Sequence, residues 1–283
     1  MLDVATFLAA PFVSCLILVA ILGYLGLHVL LREVIFVDLA LAQIAALGTL
    51  VAFLMHHEPG SPAAFGFSLV ATLLGAAIFS LSRTDEGDVP QEAIIGITYV
   101  LASALALVVA DRAPEGAEHI KEALAGSILW VTWGTVIRDL VLVALVGLFH
   151  FVYRKRFVLI SEDPGEAASR GWSLAWWDFL FYASFGVVVT VAVEVAGVLM
   201  VFTFLVAPAI IALVVSRSWA VRLLIAWAAG VAASAFGLGA SYRWDLPSGP
   251  AIVCTLGIFL VLFALWRRLG SGRAGGAVEP AGA

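Results

Sequence analysis

Residues 7–31 read FLAAPFVSCLILVAILGYLGLHVLL, a run without a single Asp, Glu, Lys or Arg. A helix rises 1.5 Å per residue, so roughly 20 apolar residues cross the hydrocarbon core of a bilayer, and this run is long enough to do so. A membrane strand would be about half that length and would alternate apolar with polar positions, a pattern absent here. Comparable stretches follow at 34–55, 63–82, 91–110, 138–152, 173–194, 196–215, 219–241 and 249–267. About nine spans joined by short connections predict an all-α, polytopic transmembrane helical bundle, a single domain over residues 1–268.

The composition excludes other classes. With 63% hydrophobic and 12% charged residues, the chain cannot coat a water-soluble globule with polar surface. Nine helices use roughly 200 positions, which leaves no catalytic domain outside the membrane. The net charge is −5 and no long basic tract occurs, so nucleic acid is not an expected partner. Cys15 and Cys254 lie in apolar runs without CxxC spacing and read as small core hydrophobes. The start, MLDVATFLAAPF, lacks a basic leader region, so the first helix is expected to be retained. The Gly/Ala-rich residues 269–283 are expected to form a disordered tail.

Orientation follows from the basic residues. An outside N-terminus places Arg32, Arg83, Arg154, Lys155, Arg156, Arg170, Arg217, Arg222, Arg267, Arg268 and Arg273 on one side, and Arg112, Lys121, Arg138 and Arg243 on the other. Positive charge favours the cytoplasmic side, which predicts a multi-pass protein of the cell (inner) membrane with a cytoplasmic C-terminus. The stretch 119–136, HIKEALAGSILWVTWGTV, is polar at its start, and a full crossing there would put the YRKR cluster outside. It is expected to be re-entrant or tilted.

Several residues could carry chemistry. Asp38, in VIFVDLALAQIAALG, is costly within a bilayer by at least a few kcal/mol unless paired, hydrated or metal-bound, so it faces protein or a water-filled path. Gln43 stands five residues on, about 140° around the helix, so a break or π-bulge would be needed to bring both to one site. Its uncharged amide is equally suited to bridging helices. His28 and His150 read as packed or interfacial, and His56, His57 and Glu58 as an exposed outside turn. Glu92 complements a helix dipole. Glu194 ends a span beside a glycine turn. Pro208 should kink or break the seventh span. In YRWDLPSGPAIV (242–253), Asp245 or Ser248 can satisfy the first amides of the last span. Gly23, Gly26 and the small residues of 228–241 permit close helix approach.

One connection is itself a motif. In SEDPGEAASRGW (161–172), Asp163 suits an N-cap, Pro164 the first helical position, Glu166 the reciprocal capping-box partner and Gly171 the stop. A short capped helix on the cytoplasmic side is either a handle for a soluble partner or an ordinary surface helix without one. The chain supplies no engine of its own: neither Lys121 nor Lys155 sits in GxxxxGK[ST], and HExxH and GxSxG are absent.

Taken in order, IFVDLALAQIAALG, QEAIIGITYVLASALALVV, EALAGSILWVTWGTVIRDL, ISEDPGEAASRG, AGVLMVFTFLVAPAIIALVVSR and RWDLPSGPAIV resemble segments of the permease subunits of ATP-binding-cassette importers for zinc, manganese and iron, over nearly all of residues 7–268. The resemblance implies a non-enzymatic subunit that translocates a divalent metal by alternating access. It implies a homodimer in membrane lipid, with separate cytoplasmic P-loop ATPase subunits that bind ATP. An extracytoplasmic metal-binding protein would deliver cargo to the outside turn at Asp245 and Ser248, and no covalent cofactor is implied. The coupling segment would be 157–172, with Asp163, Pro164, Glu166, Arg170 and Gly171 engaging the ATPase. The translocation path would include Asp38 and Gln43. This chain departs from the family pattern G-D-x-L-x-H, which places Asp and His four apart: the His position is Gln43, and Asp38 is displaced by one. A Gln oxygen is a harder and weaker ligand than imidazole, so either the site is re-formed around Asp38 or the substrate is not zinc. The alternatives are an importer-type permease for a substrate other than zinc or manganese, and a membrane protein without an ATPase partner.

Overall fold

The computed structural model describes residues 2–58, 61–83, 90–112, 126 and 128–271. The long helices are α1 (Leu2–Leu31), α2 (Val37–Leu54), α3 (Pro62–Leu81), α4 (Gln91–Ala110) and α5 (Trp133–Val152). Two short helices follow, α6 (Arg154–Glu162) and α7 (Pro164–Ser169), then α8 (Leu174–Val215), α9 (Trp219–Trp244) and α10 (Ser248–Ser271). Side-chain caps start several of them. Ser61 accepts the Ala64 N–H with Pro62 at the first position, Thr132 accepts from Thr135, and Ser173 from Trp176.

Among the described residues eight helices are long and apolar enough to cross a membrane. The bundle is packed around α1 and α8, whose Leu18, Leu22, Leu25, Phe181, Phe185 and Val189 are fully buried. Its outer faces carry Val70, Leu74, Val108, Leu145, Leu148 and Val261, all exposed. An apolar surface of this extent suits lipid and would aggregate in water.

Helix α8 accounts for the ninth span. Its 42 residues would measure ~63 Å if straight, twice the bilayer core. Yet Phe181, near its start, and Trp219, just past its end, both lie against His28 of α1, at ring separations of 5.8 and 4.7 Å. The element therefore folds back on itself, at Gly197 (φ 74°, ψ 158°), a conformation essentially reserved for glycine. The spans expected at 173–194 and 196–215 are the two arms of this hairpin.

Some expectations are corrected. Pro208 does not break its span, since Gly197 alone is non-helical within α8. A membrane helix tolerates proline where neighbours and small local adjustments accommodate the lost bond, here the one to Phe204 O. Residues 119–125 and 127 lie outside the described residues. The remainder of 119–136 is a 3-10 turn at Ile128–Trp130 followed by the Thr132 cap, so α5 begins at Trp133 rather than 138. Helix α10 continues through 269–271, three residues into the expected tail; 272–283 lie outside the described residues. Cys15 is buried as expected, but Cys254 faces outward.

Candidate functional site

Asp38 lies in the first turn of α2, is fully buried, and neither carboxylate oxygen has a hydrogen-bond partner. Gln43 is only partly buried. Helix α2 runs unbroken from Val37 to Leu54, so the two side chains remain about 140° apart and do not converge. No group of three or more His, Cys, Asp or Glu side chains that could hold a metal occurs among the described residues. What α2 offers is one buried, uncompensated carboxylate. Close by, Glu92 of α4 accepts the Phe36 N–H at 3.0 Å, so it serves the start of α2 as well as its own helix.

The handle forms around two consecutive helices. Helix α6 buries Phe157, Ile160 and Ser161, one face at helical spacing, and Phe157 stacks on His150 at 4.3 Å. Asp163 then caps α7, its side chain accepting the Glu166 N–H at 2.8 Å, with Pro164 in the first position. The expected capping box is only half made. The Asp163 N–H is already given to Leu159 O at 2.8 Å because Asp163 also ends α6, and Glu166 instead pairs with Arg170 at 2.5 Å. Gly171 (φ 76°) stops the helix: its N–H bonds Ala168 O while Trp172 N–H bonds Ala167 O, a Schellman closure. Apart from Ala167, α7 is exposed. Nothing lies within 4 Å of a Cβ added at Gly171, so Gly171→Ala is expected to cost about 1 kcal/mol through backbone strain alone, seen as faster amide exchange over 164–172. Glu166→Ala removes a solvent-exposed ion pair and should cost under about 0.5 kcal/mol in the same measurement.

A buried ionic cluster, not anticipated from the sequence, sits where this segment meets the bundle. Asp178 of α8, fully buried, is held at 2.5 Å by Arg32, just beyond α1, and at 2.5 Å by Arg83, just beyond α3. The Arg32 guanidinium also donates through Nε to Ser161 Oγ at 2.8 Å and lies 4.1 Å over the Phe181 ring. His28 Nδ1 shares the same hydroxyl at 2.8 Å, and His150 Nε2 bonds Ser184 Oγ at 2.8 Å. Both histidines are thus packed inside the protein. A signal existed: Asp178 interrupts the apolar run WWDFLFY just as Asp38 interrupts its own.

At the opposite end, Arg138 joins Asp139 at 2.9 Å to Glu194 at 3.2 Å, beside the α8 reversal. The turn before α10 is closed differently from the expectation. Asp245 adopts the left-handed conformation (φ 52°) and ends α9 through its backbone N–H to Ser241 O, while Ser241 Oγ donates to Leu246 O at 2.7 Å. Ser248 is the buried first residue of α10, and among the described hydrogen bonds neither the Asp245 nor the Ser248 side chain caps that helix.

The sequence model of the ABC 3 transport family matches residues 4–267. The chain belongs to the ABC 3 transport family. This ABC 3 protein is 24% identical over 267 residues to the manganese import system permease protein ScaB of Streptococcus gordonii, covering 91% of this chain and 90% of that one. It is 25% identical over 217 residues to the chelated iron transport system membrane protein YfeD of Yersinia pestis, covering 75% and 73%. Among solved structures, PsaBC from Streptococcus pneumoniae in complex with Fab shares the fold, with a TM-score of 0.78 at 21% identity and 93% of each chain covered. The ABC 3 protein is a polytopic membrane protein of helical-bundle architecture.

Proposed function

We propose that this chain is the membrane permease subunit of an importer for a divalent metal cation, a single domain over residues 1–268 that works by alternating access as a homodimer. Separate cytoplasmic ATPase subunits dock on α7 and the adjoining Arg170 and Gly171, and an extracytoplasmic metal-binding protein delivers cargo near Asp245 and Ser248. The N-terminus lies outside and the C-terminus in the cytoplasm, in accord with the gathering of Arg32, Arg83 and the α6 segment at one end of the bundle.

The observation that carries this reading is Asp38. A carboxylate buried among membrane helices with both oxygens unpartnered is poised for a passing cation. Its family relatives are named for manganese and chelated iron. A carboxylate oxygen suits manganese better than zinc, so manganese is the expected cargo and zinc the competing one. The lack of a three-ligand cluster among the described residues favours one second reading, an importer of a chelated metal. Reconstitution into liposomes with the cognate ATPase tests both. Manganese uptake is expected only with ATP inside the coupling compartment, and uptake at full rate by this chain alone would refute the assignment. Uptake that requires a chelator would select the second reading.

A further inference from the structure

We infer that Ser161, Arg32, Asp178 and Arg83 form the mechanical linkage through which movement of the cytoplasmic segment enters the bundle, making them positioning residues for transport. This rests on the proposed docking of an ATPase at α7.

The last turn of α6, immediately before the handle, is gripped at two adjacent residues. Ser161 Oγ accepts from Arg32 Nε, and Glu162 Oε1 accepts from Trp219 Nε1 at 2.7 Å, with Arg222 at 3.8 Å. The other side of the handle is fixed as well, since Arg156 lies over the rings of Trp172 and Trp177 at 5.4 and 4.7 Å. Helix α7 is thus joined, through Asp163 alone, to a turn that holds Ser161.

From Ser161 the route is stiff. One guanidinium joins Ser161 to Asp178, and its plane is set by the Phe181 ring. The second Asp178 oxygen is taken by Arg83. A planar, multiply bonded Arg–carboxylate array has far less angular freedom than an apolar contact. Its 0% exposed carboxylate cannot drop either partner for water. Four separate elements meet here: the ends of α1 and α3, helix α6, and the inner end of the first α8 arm. Displacement of α6 is thereby imposed on helices α1, α3 and α8 together. Arg32 Nη2 remains buried without a partner, a spare donor available to a second seating of the same array.

The experiment uses the reconstituted complex with its ATPase and reads manganese ions moved per ATP hydrolysed. Ser161→Ala deletes one hydroxyl from a helix that tolerates alanine, and Arg83→Gln opens the more accessible side of the array. Each is expected to lower the ratio at least fivefold with the ATPase rate within twofold of normal and subunit stoichiometry unchanged. Ser161→Thr, which keeps the hydroxyl, is expected to restore it. An unchanged ratio in both variants, or ATPase and uptake falling in parallel in an intact complex, overturns the linkage. Failure of the docking reading shows separately, as assembly and ATPase activity that ignore substitutions at Glu166 and Gly171.

Discussion

Asp38→Asn is expected to reduce ATP-driven manganese uptake by about 100-fold or more while leaving the protein at least as stable as before. At an effective dielectric near 20, a unit charge about 4 Å from a monovalent partner is worth about 4 kcal/mol, and a divalent ion doubles it. A loss of 100-fold corresponds to only about 2.7 kcal/mol, so the change in charge is ample to produce it. The stability half has the opposite sign from most substitutions at a buried polar site. Asp38 has no cationic or hydrogen-bonding partner to lose, and the neutral amide is cheaper to bury than the carboxylate. Uptake in proteoliposomes and thermal unfolding in detergent test the two halves. Normal uptake clears Asp38 of a transport role, and lost uptake with an equally lost fold shows that the residue is structural.

A large effect on folding is expected at Gly26. A Cβ there meets the Leu205 carbonyl and its carbon, backbone atoms of α8 that cannot rotate away, with Ala209 behind them. Overpacking ordinarily costs 1–3 kcal/mol, and collision with backbone lies at or above the upper end, so Gly26→Val is expected to cost about 3 kcal/mol or more. Gly147 is the control. It lies within α5 with nothing within 4 Å of an added Cβ, and Gly147→Ala should be neutral or stabilising by up to about 1 kcal/mol. Equal unfolding temperatures for the Gly26 variant and the parent would show that α1 and α8 are not locked at this crossing.

Length and apolar content identified the spans, apart from the first turns of α5, because the membrane leaves a helix no alternative for its backbone groups. The nine stretches read from apolar runs agree with eight long helices once α8 is seen to fold at Gly197. Local chemistry also made the handle legible, since Asp163, Pro164 and Gly171 act within a few residues of themselves. The errors arose where a residue had a second neighbour in sequence or a distant one in space. Glu166 lost its reciprocal cap because Asp163 serves α6 too. Pro208 looked like a break, but the helix runs through it, as membrane helices can. The Asp178 cluster joins residues separated by 146 and 95 positions, a distance over which spacing carries no information. The arrangement around Asp38 is set by whichever helices face it, so the sequence could identify the carboxylate but not its surroundings.

A peptide of six residues has no helical stability of its own in water, because nucleation fixes more torsions than it gains bonds. Helix α7 is such a peptide, and it persists only because its first residue is pinned to the end of α6 and its last is sealed by the Gly171–Trp172 turn. Any soluble protein that grips this peg meets a finished shape, and so loses little entropy on ordering it. Association at this point should therefore be quick and insensitive to temperature-induced fraying. The connection that looks most like a loose end of the chain is held in a finished shape by its own two ends.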